Sequence, residues 1–385
     1  MMPEQATQVV MLTPKGRGAV ATLLVEGPRA AELVAELFHP AARRSILDRP
    51  CGKILFGRWL SPQLGEELVV CRRDRQRIEI HCHGGQVAPG AIIASLIERG
   101  CSAIEWQDWV RGSTADPIAA AAQIALAAAA TERTAAILCD QLGGALRHTI
   151  DQLSLVIRDG RVPAALAQID QLLEFSGIGL HLVKPWQIAF AGRTNVGKSS
   201  LINALLGYER AIVHATAGTT RDVVTAAAAI DGWPVELADT AGLRASSDEL
   251  ETAGIGLGQR RLTKADLVVL VFDLSAAWSA EDEALAAAWP EALRVFNKRD
   301  LAQTEAIEKS TRLTTSALAA EGLDDLERAI SARLVPHVPT VGQAVPFTIR
   351  QVETLHQIKR HLQSGRCSAA IEWLMSPTSW VDVDC

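Results

Sequence analysis

The apolar positions of this chain change period along its length. Over the first hundred residues they come in runs of strand length. Residues 8–13 form one such run; Pro14-Lys15-Gly16-Arg17-Gly18 breaks it as a turn, and residues 19–25 resume an extended apolar run. Gly27-Pro28 then precedes a helix-spaced segment from Arg29 to Phe38. Strand-like runs follow near 52–60, 66–72 and 77–82, then a helix from about Pro89 to Arg99 and a short strand near 101–106. The β-α-β-β-β-α-β order predicts a small α+β domain ending near residue 112.

From Thr114 the period becomes helical. Residues 119–130 are almost all Ala, the pattern runs on through Leu142, and Arg147–Ile157 and Ala164–Leu173 read as two more helices, with Gly160 and Gly177 as breaks. A second purely helical stretch lies at 348–375, where Val352, Leu355, Ile358 and Leu362 share one face. Between the two stretches strands and helices alternate. The pattern therefore predicts one helical domain interrupted by an α/β domain over about 184–334.

Composition adds bounds. The 385 residues are 48% hydrophobic, 21% charged and only 4% aromatic, with a net charge of −6. No apolar run approaches the roughly 18 residues of a membrane span, and the first residues have neither a basic nor a long apolar stretch, so no secretory signal is expected. Seven Cys without C-x-x-C spacing predict reduced thiols in a cytoplasmic protein. The acidic balance argues against gripping nucleic acid by bulk charge. The local basic runs 72–77, 259–261 and Lys359-Arg360 read first as solvated faces. His81-Cys82-His83 is a weak metal candidate, because on a strand His81 and His83 share a face while Cys82 points away. Gly84-Gly85 reads as a strand-ending turn that allows a close approach.

The interrupting domain carries the chemistry. An apolar run, Gln187–Ala191, leads into Gly192-Arg193-Thr194-Asn195-Val196-Gly197-Lys198-Ser199-Ser200 and then into a helical pattern. G-x-x-x-x-G-K-S between strand and helix is a phosphate-binding loop. Its N–H groups and helix N-terminus face phosphate, Lys198 reaches the β- and γ-phosphates, and Ser199 ligates Mg²⁺. His214–Asp222 suits a switch loop, in which Thr219 or Thr220 reaches Mg²⁺ or the γ-phosphate. Residues 226–230 and 235–238 around Asp231-Gly232 read as a hairpin. It ends at Asp239-Thr240-Ala241-Gly242, with Asp239 as the Mg²⁺ carboxylate, acting through water, and the Gly242 N–H as γ-phosphate sensor. Asn297-Lys298-Arg299-Asp300 reads guanine through its carboxylate, and Ser316-Ala317 offers a backbone N–H to the guanine O6. Together these motifs predict a GTP-hydrolysing enzyme. Leu243 stands where Ras-type enzymes carry the water-orienting Gln. Arg244 and the acids of Asp248-Glu249-Leu250-Glu251 are the candidates to replace it, with helix N-terminal charge as their other reading.

With these motifs in place, the chain resembles the MnmE (TrmE) family of tRNA-modification GTPases. The resemblance rests on Gly16-Arg17-Gly18, His83-Gly84-Gly85, residues 192–200, Ala217–Asp222 and Asp239–Arg244 with the acidic segment after it. It implies a multidomain α/β plus α protein. Residues 1–112 would be an N-terminal folate-binding-type domain, 113–183 and 335–385 the two parts of a helical domain, and 184–334 an inserted Ras-like GTPase domain. It implies that Asn195 holds K⁺ against the phosphates when two GTPase domains pair, that Glu251 acts on the attacking water through a second water, and that homodimers form through both the N-terminal and GTPase domains. It further implies an FAD-containing partner, MnmG, a tRNA wobble uridine as substrate, and a 5-formyltetrahydrofolate-type one-carbon donor. Two departures are visible. Trp106–Ser113 runs almost directly into the helices without the family's P-G-E-F-x-x-R-A-F-x-N-G-K segment, and the last residues, Trp380–Cys385, lack C-x-G-K. They favour the alternative of a regulatory or ribonucleoprotein-assembly GTPase without the one-carbon chemistry, whereas the near-full-length architecture favours tRNA modification with an MnmG-like partner.

Overall fold

The computed structural model describes residues 6–14, 18–42, 45–61, 64–208, 225–239, 262–302 and 313–380. The chain divides into two compact units between Ala115 and Asp116.

The first unit is a seven-stranded sheet covered by helices. Its strands are β1 (Gln8–Met11), β2 (Val20–Glu26), β3 (Phe38–Pro40), β4 (Ile54–Ser61), β5 (Leu64–Arg72), β6 (Arg77–His83) and β7 (Ser102–Ile104). The spatial order is β3-β4-β5-β6-β2-β1-β7, antiparallel except where β1 pairs with β7. Helices α1 (Ala30–Leu37) and α2 (Val87–Ile97) bury Leu33, Val34, Ile92 and Leu96 against inward residues such as Leu23, Val25, Ile78 and Ile80. Trp59 is fully buried, and its indole N–H donates to Ser95 Oγ on α2 at 3.0 Å.

Two elements depart from the sequence pattern. The helix expected to run through Phe38 ends at Leu37, and Phe38–Pro40 pairs with β4. Pro40 drives His39 to extended backbone, and Phe38 before it pairs with Trp59 on β4. A third helix, α3 (Trp106–Ser113), lies where the sequence pattern predicts none, because its single apolar stripe of Trp106, Trp109 and Val110 spans barely two turns. Trp109 Nε1 ties it to Glu26 at 2.7 Å.

The basic run at 72–77 is largely absorbed into this unit. Arg72 donates to the carbonyls of Leu47 and Arg49 at 3.1 and 2.8 Å, Arg73 pairs with Glu79 at 2.7 Å, and Arg77 pairs with Asp74 at 2.7 Å. Cys82 is buried between the partly exposed His81 and the exposed His83, and no group of three metal-ligating side chains exists among the described residues. Burial, with the Glu66 carboxylate nearby, pushes the Cys82 thiol up to about 11, so it stays protonated and inert.

The second unit begins with helices α4 (Pro117–Leu126), α5 (Glu132–Leu142), α6 (Ala145–Arg158), α7 (Val162–Glu174) and α8 (Ser176–Leu180). The Ala-rich pattern is broken between α4 and α5, where Thr131 caps α5 by accepting from the Thr134 N–H. Gly160 does break the helices, at φ 73°, but Gly177 lies inside α8. The six-stranded sheet follows: β8 (Trp186–Ala191), β9 (Thr225–Ile230), β10 (Trp233–Asp239), β11 (Leu267–Asp273), β12 (Leu293–Asn297) and β13 (Leu313–Thr314). Its order is β13-β12-β11-β8-β10-β9, parallel except for the edge strand β9. Asp231 and Gly232, at φ 49° and 74°, form the two-residue turn between β9 and β10. Helices α9 (Lys198–Tyr208), α10 (Ala280–Ala288) and α11 (Leu323–Leu334) accompany the sheet.

Each residue of β11 from Leu267 to Phe272 is buried, and the strand feeds two cores by alternation. Leu267, Val269 and Val271 pack with Leu326 and Ile330 of α11, while Val268, Leu270 and Phe272 pack with Ala286 of α10. Burying each such side chain is worth about 1.5–3 kcal/mol. The chain ends its described course in α12 (Ile349–Gln363) and α13 (Cys367–Met375), with α12 against α7 and α13 against α6. Gln141 of α5 joins the two helical segments, donating to the Gln343 carbonyl at 2.9 Å and accepting from the Val345 N–H at 3.1 Å.

Candidate nucleotide site

Parallel strands place their C-terminal ends along one edge, and the polar residues of this sheet collect there. β8 delivers Gly192, β10 ends at Asp239, β11 at Asp273 and β12 at Asn297, and the register sets Asp273 beside Asn297. Gly192 has φ 154°, and a Cβ there would collide with the Val271 carbonyl. Gly197 has φ 93°, and a Cβ there would collide with Asn297 Nδ2. Both glycines of the loop are therefore required by neighbouring strands as well as by its own curvature.

Lys198 is buried, and its ammonium donates to the carbonyls of Gly192 and Arg193 at 3.0 and 2.7 Å. This holds the cation inside the loop. Ser199 Oγ, on the first turn of α9, donates to Asp239 Oδ2. A hydroxyl beside a carboxylate is an oxygen donor set suited to Mg²⁺. Ser200 is exposed on the same turn, Val196 is buried, and Asn195 is exposed with a left-handed φ of 64°. Asn is one of the few side-chain-bearing residues that adopts this conformation readily.

The base-reading end interlocks with the phosphate loop. Asn297 is 2% exposed. Its amide donates to the Val196 carbonyl at 3.0 Å and accepts from the Ala317 N–H at 3.1 Å and from Thr315 Oγ1 at 3.3 Å. Asn297 thus acts as a strut between the two motifs. Asp300 is exposed, and Ser316 Oγ donates to its Oδ1 at 2.5 Å. Ser316 in turn accepts from the Ala319 N–H at 3.0 Å, so the loop carrying Ala317 is fixed relative to the carboxylate. A carboxylate held this way presents oxygen acceptors in a fixed place.

Two ion pairs brace the site that the motif spacing does not reveal. Lys298, at φ 65°, donates to Asp273 Oδ2 at 2.6 Å. Burial works against the charge of Asp273, but Lys298 and the Ser275 hydroxyl and N–H hold the carboxyl below its ordinary value. Arg193 of the phosphate loop donates to Asp282 Oδ1 at 2.8 Å. Asp282 is 2% exposed; its burial is likewise outweighed by Ser279 and Arg193, and its carboxyl lies below the ordinary range. The sequence carries a signal for each acidic partner, though not for its pairing. Asp273 ends an apolar run one strand from Asn297, and Ser279-x-x-Asp282 is a capping box at the start of α10.

Thr219, Thr220, Gly242, Leu243, Arg244 and the cluster from Asp248 to Glu251 lie outside the described residues, as do Gly16-Arg17 and Cys385. Among the sites named from sequence, the structure brings together residues 192–200, Asp239, Asn297–Asp300 and Ser316-Ala317.

The strand order, the glycine loop, the Ser199–Asp239 pair and the strand-end Asn297–Asp300 segment define a P-loop GTPase. The family model described as 50S ribosome-binding GTPase matches residues 187–298. Over longer spans the chain is similar to proteins named tRNA modification GTPase MnmE. It is 31% identical to that of Synechococcus sp. (strain JA-2-3B'a(2-13)), covering 90% of this chain and 84% of the relative. It is 30% identical to that of Geobacillus kaustophilus (86% and 82%) and 28% identical to that of Lactobacillus acidophilus (94% and 88%). The chain belongs to the MnmE family of tRNA modification GTPases, and it is an enzyme that binds and hydrolyses GTP. No described helix is long and apolar enough to cross a membrane.

Proposed function

We propose that this chain is a K⁺-dependent GTPase that hydrolyses GTP across a face-to-face pair of GTPase domains, and that it serves the formation of a 5-carboxymethylaminomethyl-type group on a tRNA wobble uridine in the cytoplasm. The observation that supports the cation is Asn195. It stands in the phosphate loop with left-handed backbone and an exposed amide, whose oxygen is a fitting ligand for a large monovalent ion. K⁺ there supplies positive charge where other GTPases use an arginine finger. Lys198 holds phosphate charge, Ser199, Thr220 and Asp239 serve Mg²⁺, and Gly192, Val196, Gly197, Ser200, Thr219, Gly242, Asn297, Lys298, Asp300, Ser316 and Ala317 complete the GTP site. Glu251, with Arg244 nearby in sequence, orients the attacking water in place of a Gln.

The domain plan belongs to the same reading. Residues 1–112 form the folate-type domain, 113–183 and 335–385 one helical domain, and 184–334 the GTPase domain. The partners are a second copy of the chain, an FAD-containing MnmG-like protein and tRNA.

GTP turnover in K⁺ and in Na⁺ tests the mechanism. Loss of a preorganised charge at the transferring phosphate costs on the order of 10²-fold, so turnover falls by about that factor in Na⁺. Equal rates contradict the K⁺ site. Glu251→Ala abolishes hydrolysis while sparing GTP binding; unchanged turnover removes Glu251 from the mechanism.

The second reading is a regulatory or ribonucleoprotein-assembly GTPase without the one-carbon chemistry; the direct run of Trp106–Ser113 into the helices, without the family's P-G-E-F-x-x-R-A-F-x-N-G-K segment, supports it. Titration with 5-formyltetrahydrofolate separates the readings, binding favouring the first.

A further inference from the structure

Residues 192–200 carry two cations, Arg193 and Lys198. Lys198 has its place in phosphate binding. A guanidinium at Arg193 can serve in either of two ways. It can reach a transferring phosphate, as an arginine finger does, or it can hold the loop in shape. The structure commits its side chain to α10, where Arg193 Nε donates to Asp282 Oδ1 at 2.8 Å.

Helix capping does not account for all of Asp282. The cap uses Oδ2, which accepts from the Ser279 N–H at 3.0 Å and from Ser279 Oγ at 2.7 Å. The second oxygen of this buried carboxylate is the one that Arg193 serves. Helix α10 is itself fixed to the sheet. Ala286 packs with Leu270 and Phe272 of β11 and with Ala191, the last residue of β8 before the loop. Asp282 and Ala286 are four residues apart and so share a helix face. The carboxylate therefore projects from the packed side of α10, and the ion pair ties the start of the loop to an anchored element.

The tie fixes the Arg193 peptide. Its carbonyl accepts from Lys198 Nζ at 2.7 Å, next to the Gly192 carbonyl at 3.0 Å. The far side of the loop is pinned as well, by Asn297 on the Val196 carbonyl at 3.0 Å. Between the two pins lie Thr194 and Asn195, both exposed, with Asn195 at a left-handed φ of 64°. The loop is a span fixed at both ends, and the Lys198 ammonium rests on the end that Arg193 holds.

We propose that Arg193 is a positioning residue for GTP hydrolysis: anchored on Asp282, it fixes the carbonyl that aims Lys198, and it does not itself act on phosphate. Lys198 meets charge that develops on the transferring phosphate. An error in its placement is therefore felt more in turnover than in ground-state binding. A displacement of about 1 Å at a reacting group costs up to about 10²-fold.

The test is steady-state GTP turnover of the full chain, with active sites counted by stoichiometric GDP binding and folding followed by thermal unfolding. Asp282→Asn is the informative variant. Its remaining oxygen can keep the Ser279 cap, but its amide N–H groups then face Arg193 Nε–H, donor against donor. Turnover per active site falls at least about tenfold, and KM changes less than kcat. Arg193→Ala falls by a similar factor, and the double variant falls no further, because the two residues act as one unit. Arg193→Lys keeps most of the wild-type turnover, since an ammonium also pairs with Asp282. Loss of an arginine finger would instead cost about 10³-fold or more. Wild-type turnover per active site in Asp282→Asn overturns the proposal, whether or not the unfolding temperature drops. Multiplied effects in the double variant, or a finger-sized loss in Arg193→Lys, overturn it as well.

Discussion

In the six-stranded sheet, β11 is buried from Leu267 to Phe272 and turns polar only at Asp273, whereas β6 of the seven-stranded sheet alternates, with Ile78, Ile80 and Cys82 inward and Arg77, Glu79, His81 and His83 outward. The parallel sheet is packed on both faces, so its chemistry can appear only where strands end. The antiparallel sheet has α1 and α2 on the inward face, and its other face carries charge along the strands. The two sheets therefore tolerate change in different places. In the first, one residue at a strand end joins several motifs. In the second, polar residues pair locally and the backbone approach at Gly84 is the sensitive point.

The largest effect is expected at Asn297. Its amide serves Val196, Thr315 and Ala317 together, so Asn297→Ala leaves two backbone groups of the site without their partner. Each unsatisfied group costs about 1–3 kcal/mol. GTP affinity measured by calorimetry should fall on the order of 10²-fold or more. A change of less than about threefold would mean that the strut is not needed.

A smaller effect is expected in the other sheet. A Cβ at Gly84 would collide with the Gly18 carbonyl, where the Gly84 N–H donates to the neighbouring Ala19 carbonyl at 3.0 Å. Gly84→Ala should destabilise the N-terminal unit by about 1–3 kcal/mol, as overpacking does, while GTP affinity stays unchanged. Loss of GTP binding in this variant would erase the contrast between the two sheets.

Sequence reading reached these regions unequally, for physical reasons. Residues 192–200, Asp239 and Asn297–Asp300 were legible because phosphate and guanine impose residue types at fixed spacing. The β9–β10 turn was legible because Asp231-Gly232 is a strong local signal. The helical spacing from Arg29 extends through Phe38, whose pairing with Trp59 on β4 is a tertiary contact that periodicity does not show. Helix α3 was too short to show a period. The Arg193–Asp282 brace could not be read from spacing, because it joins residues 89 positions apart through a tertiary contact.

If GTP hydrolysis at this site drives tRNA modification, nucleoside analysis of tRNA from a deletion strain carrying either the wild-type chain or Lys198→Ala should show it. The 5-carboxymethylaminomethyl-type wobble uridine is then lost on deletion, returns with the wild-type chain and stays absent with Lys198→Ala. An unchanged level of that nucleoside in the deletion strain would contradict it.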